Sequence, residues 1–254
     1  MKLGAYAFPI TGNLNQNLYQ IEHGILQAAS QGVHLLVFPE CALTGYPPLH
    51  IPAPGSIDIN ALTSAHHTLQ ALAAEHNIHL VVGTILHAEG FHNSALLFTS
   101  DGQRHAYHKR ALWGWDADNF EPGTQPGVWE ICGLRIGVRI CYEVRFPEYF
   151  RELYRVRTDL NILLFHDVAD TDNADRYDLI RGHIRTRAVE NVCPILTVNA
   201  TVPFQTAPTG FYGASGQIIA ELLRGQEGLL VTEWAPAPLN FGEQGRKAFS
   251  DQMV

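Results

Sequence analysis

Two short and almost entirely apolar segments constrain what this chain can fold into. Residues 33–38 read VHLLVF and residues 160–165 read LNILLF. Strands of this composition are covered on both faces, as in sheets that carry helices outside them. Helical periodicity separates the strand-like runs and is clearest over residues 13–31, 61–77 and 171–191. The sequence therefore predicts an α/β fold with helices packed outside sheet.

The length and the uniform composition predict a single domain over residues 1–254. A chain of 254 residues suits one large α/β domain, and no linker or change of composition divides it. The segment from about residue 236 is rich in Pro, Gly and charge. We expect this tail to form an arm or a partly ordered terminus.

Charge and sequence patterns limit the partners. The net charge of −8, with His neutral, disfavours nucleic acid and anionic membranes as partners. Apolar runs fall far short of the ~20 residues of a membrane-spanning helix, and the N-terminal residues lack the features of a signal peptide. We therefore expect a cytoplasmic protein with free thiols, since the four cysteines form no CxxC pair.

Histidine and glycine patterns argue against bound metals and nucleotides. The 13 histidines form neither an HExxH motif nor a Cys/His cluster with zinc spacing. A Gly-rich phosphate-binding loop is also missing from the sequence. We expect neither a metal nor an organic cofactor.

The stretch over residues 135–148, RIGVRICYEVRFPE, brings a cysteine to a junction between two elements. Apolar residues alternate up to position 140, which predicts a strand, and Pro147 suits the first turn of a following helix. Cys141 would have a rigid strand behind it and helix dipoles in front, an environment that favours thiolate over thiol. The alternative is a buried structural thiol, the commonest role of a free cysteine.

Two further charged residues also follow predicted strands. Glu40 follows residues 33–38, and Lys109 follows residues 104–108. Open α/β folds gather their sites at the carboxyl ends of strands, so the three side chains could converge. A carboxylate can move protons, a thiolate can attack a carbonyl or nitrile carbon, and an ammonium can stabilise the resulting negative charge. Spacing alone leaves open that the three residues are unrelated.

The same segments resemble the nitrilase superfamily of carbon–nitrogen hydrolases. The resemblance lies in LLVFPECALTGYP around Glu40, AYHKRALW around Lys109 and IGVRICYEVRFPE around Cys141, in that order. A Pro-Gly pair at 122–123, an RA-x-EN motif at 187–191 and an asparagine at 199 extend it to about residue 222. Arg187 and Glu190 of that motif are expected to form an ion pair that braces the site.

The resemblance implies a fold, a mechanism and an assembly. It implies a four-layer α-β-β-α sandwich in which Glu40 is the general base and acid, Lys109 the transition-state stabiliser and Cys141 the nucleophile. A thioester intermediate forms, an amine or ammonia leaves, and water hydrolyses the acyl-enzyme. It further implies a protein without cofactor. The chain is expected to form a homodimer or higher even oligomer through the turn around Cys141 and the tail.

Two segments depart from the family pattern. The family often has a second Glu in the loop after the Lys, where this chain has Asp116; Glu121 and Asp118 are the alternatives for that role. After the strand that ends at residue 165, the family usually has Pro, a small residue and an aromatic. Here His166 and Asp167 begin an acidic run, which predicts a more polar pocket, with an ordinary polar loop as the alternative.

Residues that flank the cysteine are further candidates. Tyr142 and Arg145 are expected to support the site or position substrate; Arg145 either pairs with a neighbouring carboxylate or binds a substrate carboxylate in bidentate fashion. Glu143 and Glu148 are expected to be structural, through salt bridges or helix N-terminal charge.

The function predicted from these residues is hydrolysis of a linear amide or carbamoyl C–N bond in a small metabolite. A true nitrilase and an N-carbamoyl amidohydrolase are the alternatives among enzymes. The RFPE turn resembles those of omega-amidases and deaminated-glutathione amidases, so a carboxylate-bearing substrate is one expectation. From another class, the alternative is a catalytically weak or inactive nitrilase-fold binding protein, which the departure at Asp116 keeps open.

Overall fold

A computed structural model describes residues 1–253 and contains alternating strands and helices. The helices are α1 (Leu14–Ser30), α2 (Ile59–Glu75), α3 (Trp115–Asn119), α4 (Pro147–Arg155), α5 (Ala174–Asn191) and α6 (Phe241–Gln252). The strands are β1 (Lys2–Ala7), β2 (Leu35–Val37), β3 (His79–His87), β4 (Phe91–Phe98), β5 (Arg104–His108), β6 (Val128–Ile131), β7 (Leu134–Ile140), β8 (Leu160–Phe165), β9 (Val168–Ala169), β10 (Ile195–Asn199), β11 (Phe204–Gln205), β12 (Gly210–Tyr212), β13 (Ile218–Glu221) and β14 (Gly228–Glu233).

The strands build two large sheets. One has the order β14-β1-β2-β3-β4-β5 and the other β13-β12-β10-β8-β7-β6. The central strands of each sheet are parallel, and antiparallel strands flank them. The short strands β9 and β11 pair separately. The strands β2 and β8 lie within the two apolar runs singled out from the sequence. Each is a central strand of its sheet.

Alternate residues of these apolar runs face different layers, which explains why the runs lack polar positions. Leu35 and Val37 pack between the sheets, in one cluster with Leu164 of β8. Leu36 packs outward against α1 and α2, and Leu163 packs outward against α4 and α5. The order of layers is helix, sheet, sheet, helix, so the predicted four-layer α-β-β-α sandwich is confirmed.

Side-chain caps fix where the long helices begin. Asn13 accepts a hydrogen bond from the backbone N–H of Gln16 at the start of α1, and Asp58 does the same for the first turn of α2. Asn173 caps α5 through the backbone N–H of Arg176. This last cap also sets the direction of the first turn of α5, which lies beside the candidate site.

Two segments contain more regular structure than the sequence predicts. The loop after Lys109 contains the single-turn helix α3, which is too short to show helical periodicity. The tail after residue 236 contains α6, which begins with a capping box at Asn240. Tyr154 of α4 donates a hydrogen bond of 2.5 Å to Asp251 of this helix. Among residues 1–253, none of the helices combines the length and apolarity needed to cross a bilayer.

Candidate active site

Glu40 lies at the seam between the two sheets. Its backbone N–H donates to the carbonyl of Phe165 at the end of β8, at 3.2 Å. In return, its Oε2 accepts the backbone N–H of His166 at 2.9 Å. Its Oε1 accepts from Nδ2 of Asn93 at 2.7 Å. The residue is only 1% exposed, so these bonds fix its carboxylate in place.

Two glycines allow the chain to pack closely around Glu40 and Lys109. A Cβ on Gly83 would lie 2.0 Å from the carbonyl oxygen that precedes Glu40 and 2.6 Å from the Cα of Glu40. A Cβ on Gly123 would lie 2.2 Å from the carbonyl oxygen that precedes Lys109. Gly123 also donates its N–H to the carbonyl of Lys109 at 3.0 Å. The Pro-Gly pair noted in the sequence therefore supports the backbone at Lys109.

The Lys109 ammonium bridges two carboxylates. Its Nζ lies 2.8 Å from Oε1 of Glu40 and 2.9 Å from Oδ2 of Asp116, and the side chain is 3% exposed. Tyr46 donates its hydroxyl to the other oxygen of Asp116 at 2.7 Å. Burial acts to lower the pKa of Lys109, but the surrounding negative groups, Glu40 foremost, raise it well above the usual value. The group therefore keeps its positive charge.

The other two carboxylates considered for the role of Asp116 lie elsewhere. Asp118 is exposed on the solvent side of α3. Glu121 is also exposed, and its side chain lies against Gly90, where an added Cβ would meet Cγ of Glu121 at 2.5 Å. The structure therefore does not bring Glu121 or Asp118 to Lys109, because the turn of α3 directs only Asp116 inward.

Cys141 opens a short 3-10 helix, Cys141–Arg145, called the cysteine turn below. Its backbone has φ of +45° and the residue is partly exposed. Burial of the thiol and the negative charge of Glu40 raise the pKa of Cys141 well above its usual value, although Lys109 acts to lower it. The resting group is therefore a thiol. The expectation of a thiolate fails because α4 begins only at Pro147, while burial and the negative charges of Glu40 and Asp167 raise the pKa of Cys141.

Glu143 ties the backbone of the cysteine strand to that of the lysine strand. Its Oε1 accepts from the hydroxyl of Tyr107 at 2.6 Å and from the N–H of Arg110 at 2.8 Å. Its Oε2 accepts from the N–H of Ile140 at 2.7 Å. The side chain is fully buried, which agrees with the structural role expected for it.

Arg187 braces the cysteine turn from α5. Its guanidinium donates to the carbonyls of Val144 at 3.0 Å and Arg145 at 3.3 Å. It also forms the expected ion pair with Glu190, at 2.7 Å. The RA-x-EN motif thus holds the carbonyl groups that follow the cysteine.

A cavity of about 210 Å³ opens over Cys141 and Lys109. Four further residues that the sequence singled out line it: Asp116, Tyr142, His166 and Asp167. Two residues that the sequence did not single out, Tyr46 and Arg176, also line it. Arg145 is not part of this lining, and its guanidinium lies 5.5 Å from the ring centroid of Tyr142.

His166 contributes a neutral imidazole to this cavity. Its ring stacks on Tyr46 with centroids 5.0 Å apart and meets His50 edge-on at 5.0 Å. Burial, together with the charge of His50, lowers the pKa of His166 to about 3. Its Nε2 is buried and has no hydrogen-bond partner within the described part of the chain.

Asp167 is held by three side chains. Arg176 binds it in bidentate fashion, with Nε 2.8 Å from Oδ1 and Nη2 3.0 Å from Oδ2. The Thr206 hydroxyl donates to Oδ1, and Asn199 accepts the Asp167 backbone N–H at 2.9 Å. The polar pocket wall expected after β8 is present, and its carboxylate is already paired.

Sequence reasoning missed Tyr46, Asn93 and Arg176. Asn93 carried a usable signal, since it is a buried polar residue directly before the apolar run of its strand, FHNSALLF. Arg176 is a basic residue that directly follows an acidic run, which indicates a local ion pair but not its partner. Tyr46 lies in a Pro- and Gly-rich loop, and nothing in its sequence context indicates a position next to Asp116.

Within residues 1–253, no group of three or more His, Cys, Asp or Glu side chains is placed to hold a metal ion. The expectation of a protein without metal therefore stays a prediction.

Known proteins share both sequence and fold with this chain. A family profile described as carbon-nitrogen hydrolase matches residues 2–238. An (R)-stereoselective amidase from Pseudomonas sp is 29% identical over 197 residues, which cover 74% of this chain and 66% of the relative. A 2-oxoglutaramate amidase from Bacillus subtilis (strain 168) is 25% identical over 195 residues, which cover 75% of this chain and 72% of the relative.

Among solved structures, the NitN amidase from Nesterenkonia sp. AN1 superposes with a TM-score of 0.82 at 24% identity, covering 100% of this chain and 99% of that chain. A variant of the same amidase, with the acetamide moiety of fluoroacetamide added covalently at its active-site cysteine, superposes with a TM-score of 0.81 at 23% identity over 100% and 96% of the two chains. The likeness shows a shared fold.

Proposed function

Because the chain belongs to the carbon-nitrogen hydrolase family, we propose that it hydrolyses the C–N bond of a small linear amide through a thioester on Cys141. One observation carries the proposal: the Lys109 ammonium, bonded to Glu40 and Asp116, lines the same 210 Å³ cavity as the Cys141 thiol. Two curated relatives are named as amidases, which supports an amide over a nitrile.

In the proposed acylation step, Glu40 takes the Cys141 proton as the sulfur attacks the carbonyl carbon. The carbonyl electron pair moves to oxygen, and Lys109 stabilises the negative charge that develops there. Glu40 then returns the proton to the leaving nitrogen, the C–N bond breaks, and ammonia or an amine departs. The acyl group remains on sulfur as a thioester.

In the proposed deacylation step, Glu40 takes a proton from water as the water oxygen attacks the thioester. The C–S bond breaks, the sulfur regains a proton, and the acid leaves, so that the sum is amide plus water giving acid plus ammonia. The raised pKa of the resting Cys141 thiol supports this assignment of Glu40, since a group that stays protonated needs a base within reach.

Ammonia release from a panel of linear amides, carbamoyl compounds and nitriles tests the proposal. We expect wild type to act best on an amide and Cys141→Ala to lose about 10³-fold or more. Cys132→Ala, which removes an exposed thiol, is the matched control and should keep full activity. Intact-mass detection of an acyl adduct on Cys141 would support the thioester. Equal ammonia release by wild type and Cys141→Ala on every compound would instead leave the inactive binding-protein alternative.

We also infer a homodimer in which residues 1–254 act as one unit and the cysteine turn and tail form the contact. Large apolar side chains stand exposed on and near α6 and β13 in support; these are Phe241, Phe249, Ile219 and Leu223. Light scattering after gel filtration of wild type and Phe249→Ser tests this, and a monomeric wild type would refute it.

A cytoplasmic location is the last part of the proposal. All four cysteines are free thiols, as is usual in reducing compartments. Cell fractionation tests it, and recovery of the protein outside the cytoplasm would refute it.

A further inference from the structure

The ion pair between Asp167 and Arg176 forms one side of the cavity over Cys141. Both residues line that cavity, and the Asp167 side chain is 6% exposed while that of Arg176 is 41% exposed. The pair is bidentate, so the N–H edge of Arg176 formed by Nε and Nη2 already holds a carboxylate.

Within residues 1–253, each cation that lines the cavity is already paired with a carboxylate. Lys109 is shared between Glu40 and Asp116, and Arg176 is bound to Asp167. Two positive groups therefore face three carboxylates. His166 adds no charge, because burial lowers the pKa of this residue to about 3.

Arg145, which the sequence suggested for binding a substrate carboxylate, does not change this balance of charges in the cavity. Arg145 lies outside the cavity lining and stacks over Tyr142. The turn that contains Arg145 was the basis for expecting a carboxylate-bearing substrate. Because Arg145 lies outside the cavity lining, this turn supplies no cation that could bind a substrate carboxylate.

We propose that the site selects small amides whose acyl part carries no carboxylate, and that Asp167 sets this selectivity by occupying Arg176. This inference rests on the proposed amidase function. A substrate carboxylate that uses the same N–H groups would have to displace Asp167 from Arg176, which would leave a buried carboxylate without its cation beside the incoming one. An uncharged carboxamide of the same shape meets no such repulsion. Asp167 and Arg176 are therefore specificity-determining residues.

Succinamide provides a direct test, because hydrolysis of its first amide yields succinamate, which differs by one carboxylate in place of a carboxamide. We expect wild type to release one equivalent of ammonia from succinamide and then to stop or slow sharply. The kcat/KM for succinamide should exceed that for succinamate by about tenfold or more. This margin exceeds the factor that two equivalent amide groups contribute.

Two variants should move this ratio in different ways. Asp167→Asn keeps an oxygen for the Thr206 hydroxyl and frees Arg176, so we expect the succinamide preference to fall about tenfold and ammonia release to approach two equivalents. Arg176→Gln keeps Asp167 and removes the cation, so the preference should stay at the wild-type level or rise. Asp178→Asn breaks an ion pair of 2.6 Å with Arg181 on the same helix, outside the cavity lining, and should leave the ratio unchanged.

The outcomes separate this inference from the proposed function. If wild type consumes succinamate as readily as succinamide, with ammonia release that depends on Cys141, the amidase proposal survives and the inference fails. It also fails if Asp167→Asn folds, as judged by circular dichroism, and keeps the wild-type ratio. Should Asp167→Asn not fold, a lower ratio in Arg176→Gln would overturn the inference. Ammonia release that does not depend on Cys141 overturns both.

Discussion

The carboxylate of Asp116 lies 2.9 Å from the ammonium of Lys109, on a side chain one methylene shorter than the glutamate that the resemblance led us to expect there. The single turn of α3 carries the residue inward, and the Tyr46 hydroxyl holds its other oxygen at 2.7 Å. The shorter side chain still reaches Lys109 because α3 places the backbone of Asp116 close to the lysine.

Replacing Asp116 tests whether this contact positions Lys109. We expect Asp116→Asn to lower kcat by about 10- to 100-fold, because the ammonium loses one of its two charged anchors and shifts relative to the reacting carbonyl. Asp116→Glu keeps the charge and should keep more activity than Asp116→Asn. Steady-state ammonia release measures both. Asp118→Asn, an exposed change on the same turn, is the control, and an equal loss there would contradict a specific role for Asp116.

The raised pKa of Cys141 predicts how its alkylation depends on pH. A thiol whose pKa lies well above 9 is mostly protonated at neutral pH, and its thiolate fraction grows about tenfold per pH unit until the pKa is reached. We therefore expect iodoacetamide labelling of Cys141 to rise about tenfold per unit between pH 7 and 9. Peptide mass spectrometry reads each cysteine separately.

Glu40→Gln should make this labelling faster while abolishing turnover. The Glu40 charge is among the causes that raise the pKa of Cys141, so its removal lowers that pKa and increases the thiolate fraction at a given pH. Labelling of the exposed Cys132 should not change and serves as the internal control. Slower labelling of Cys141 in Glu40→Gln would mean that Glu40 acts as a base towards iodoacetamide and would overturn the pKa argument.

Glu143 is expected to support catalysis and stability together. A glutamine in its place has one oxygen for three donors, so a buried N–H loses its partner at a cost of about 1–3 kcal/mol. We expect Glu143→Gln to lower the urea midpoint and to reduce kcat, because the backbones next to Lys109 and Cys141 are no longer tied. Glu148→Gln, an exposed change in the first turn of α4, should do neither. Wild-type stability in Glu143→Gln would contradict this role.

Gly83→Ala should shift the backbone at Glu40. The new Cβ would lie 2.0 Å from a backbone oxygen, so β3 and the backbone at Glu40 must separate. We expect a loss of about 1–3 kcal/mol in unfolding free energy and a lower kcat. Gly182→Ala on α5, where nothing lies within 4 Å of the added Cβ, should instead be neutral or gain about 0.5–1 kcal/mol. Denaturation curves of both variants decide the matter.

The α/β class and the central strands followed from local patterns in the sequence, whereas the four-layer order was implied by the resemblance. The limits of β5 and β8 agree with the predicted segments 104–108 and 160–165, and β7 ends at position 140, where the alternation predicted the end of a strand. The meeting of Glu40 and Lys109 was inferred from resemblance and not from spacing. These residues are 69 positions apart, and nothing local to either indicates the 2.8 Å contact between them.

Contacts that depend on the path of a loop were not predictable. Arg176 reaches Asp167 across the β9 segment and the first turn of α5, so its role depends on where Asn173 starts that helix. The thiolate expectation for Cys141 relied on helix dipoles and omitted burial, which dominates when a sulfur lies among carboxylates. The deciding quantity is a distance for Arg176 and the degree of burial for Cys141, and no local pattern encodes either.

The seam at Glu40 links chemistry to the integrity of the sandwich. The Glu40 backbone bonds to Phe165 and the Glu40 carboxylate bonds to the backbone N–H of His166, so the sheets cannot part without moving the carboxylate. In the proposed mechanism, a heat-damaged molecule with parted sheets carries a protonated sulfur and no base. Such a molecule does not hydrolyse amides, so separation of the sheets stops turnover.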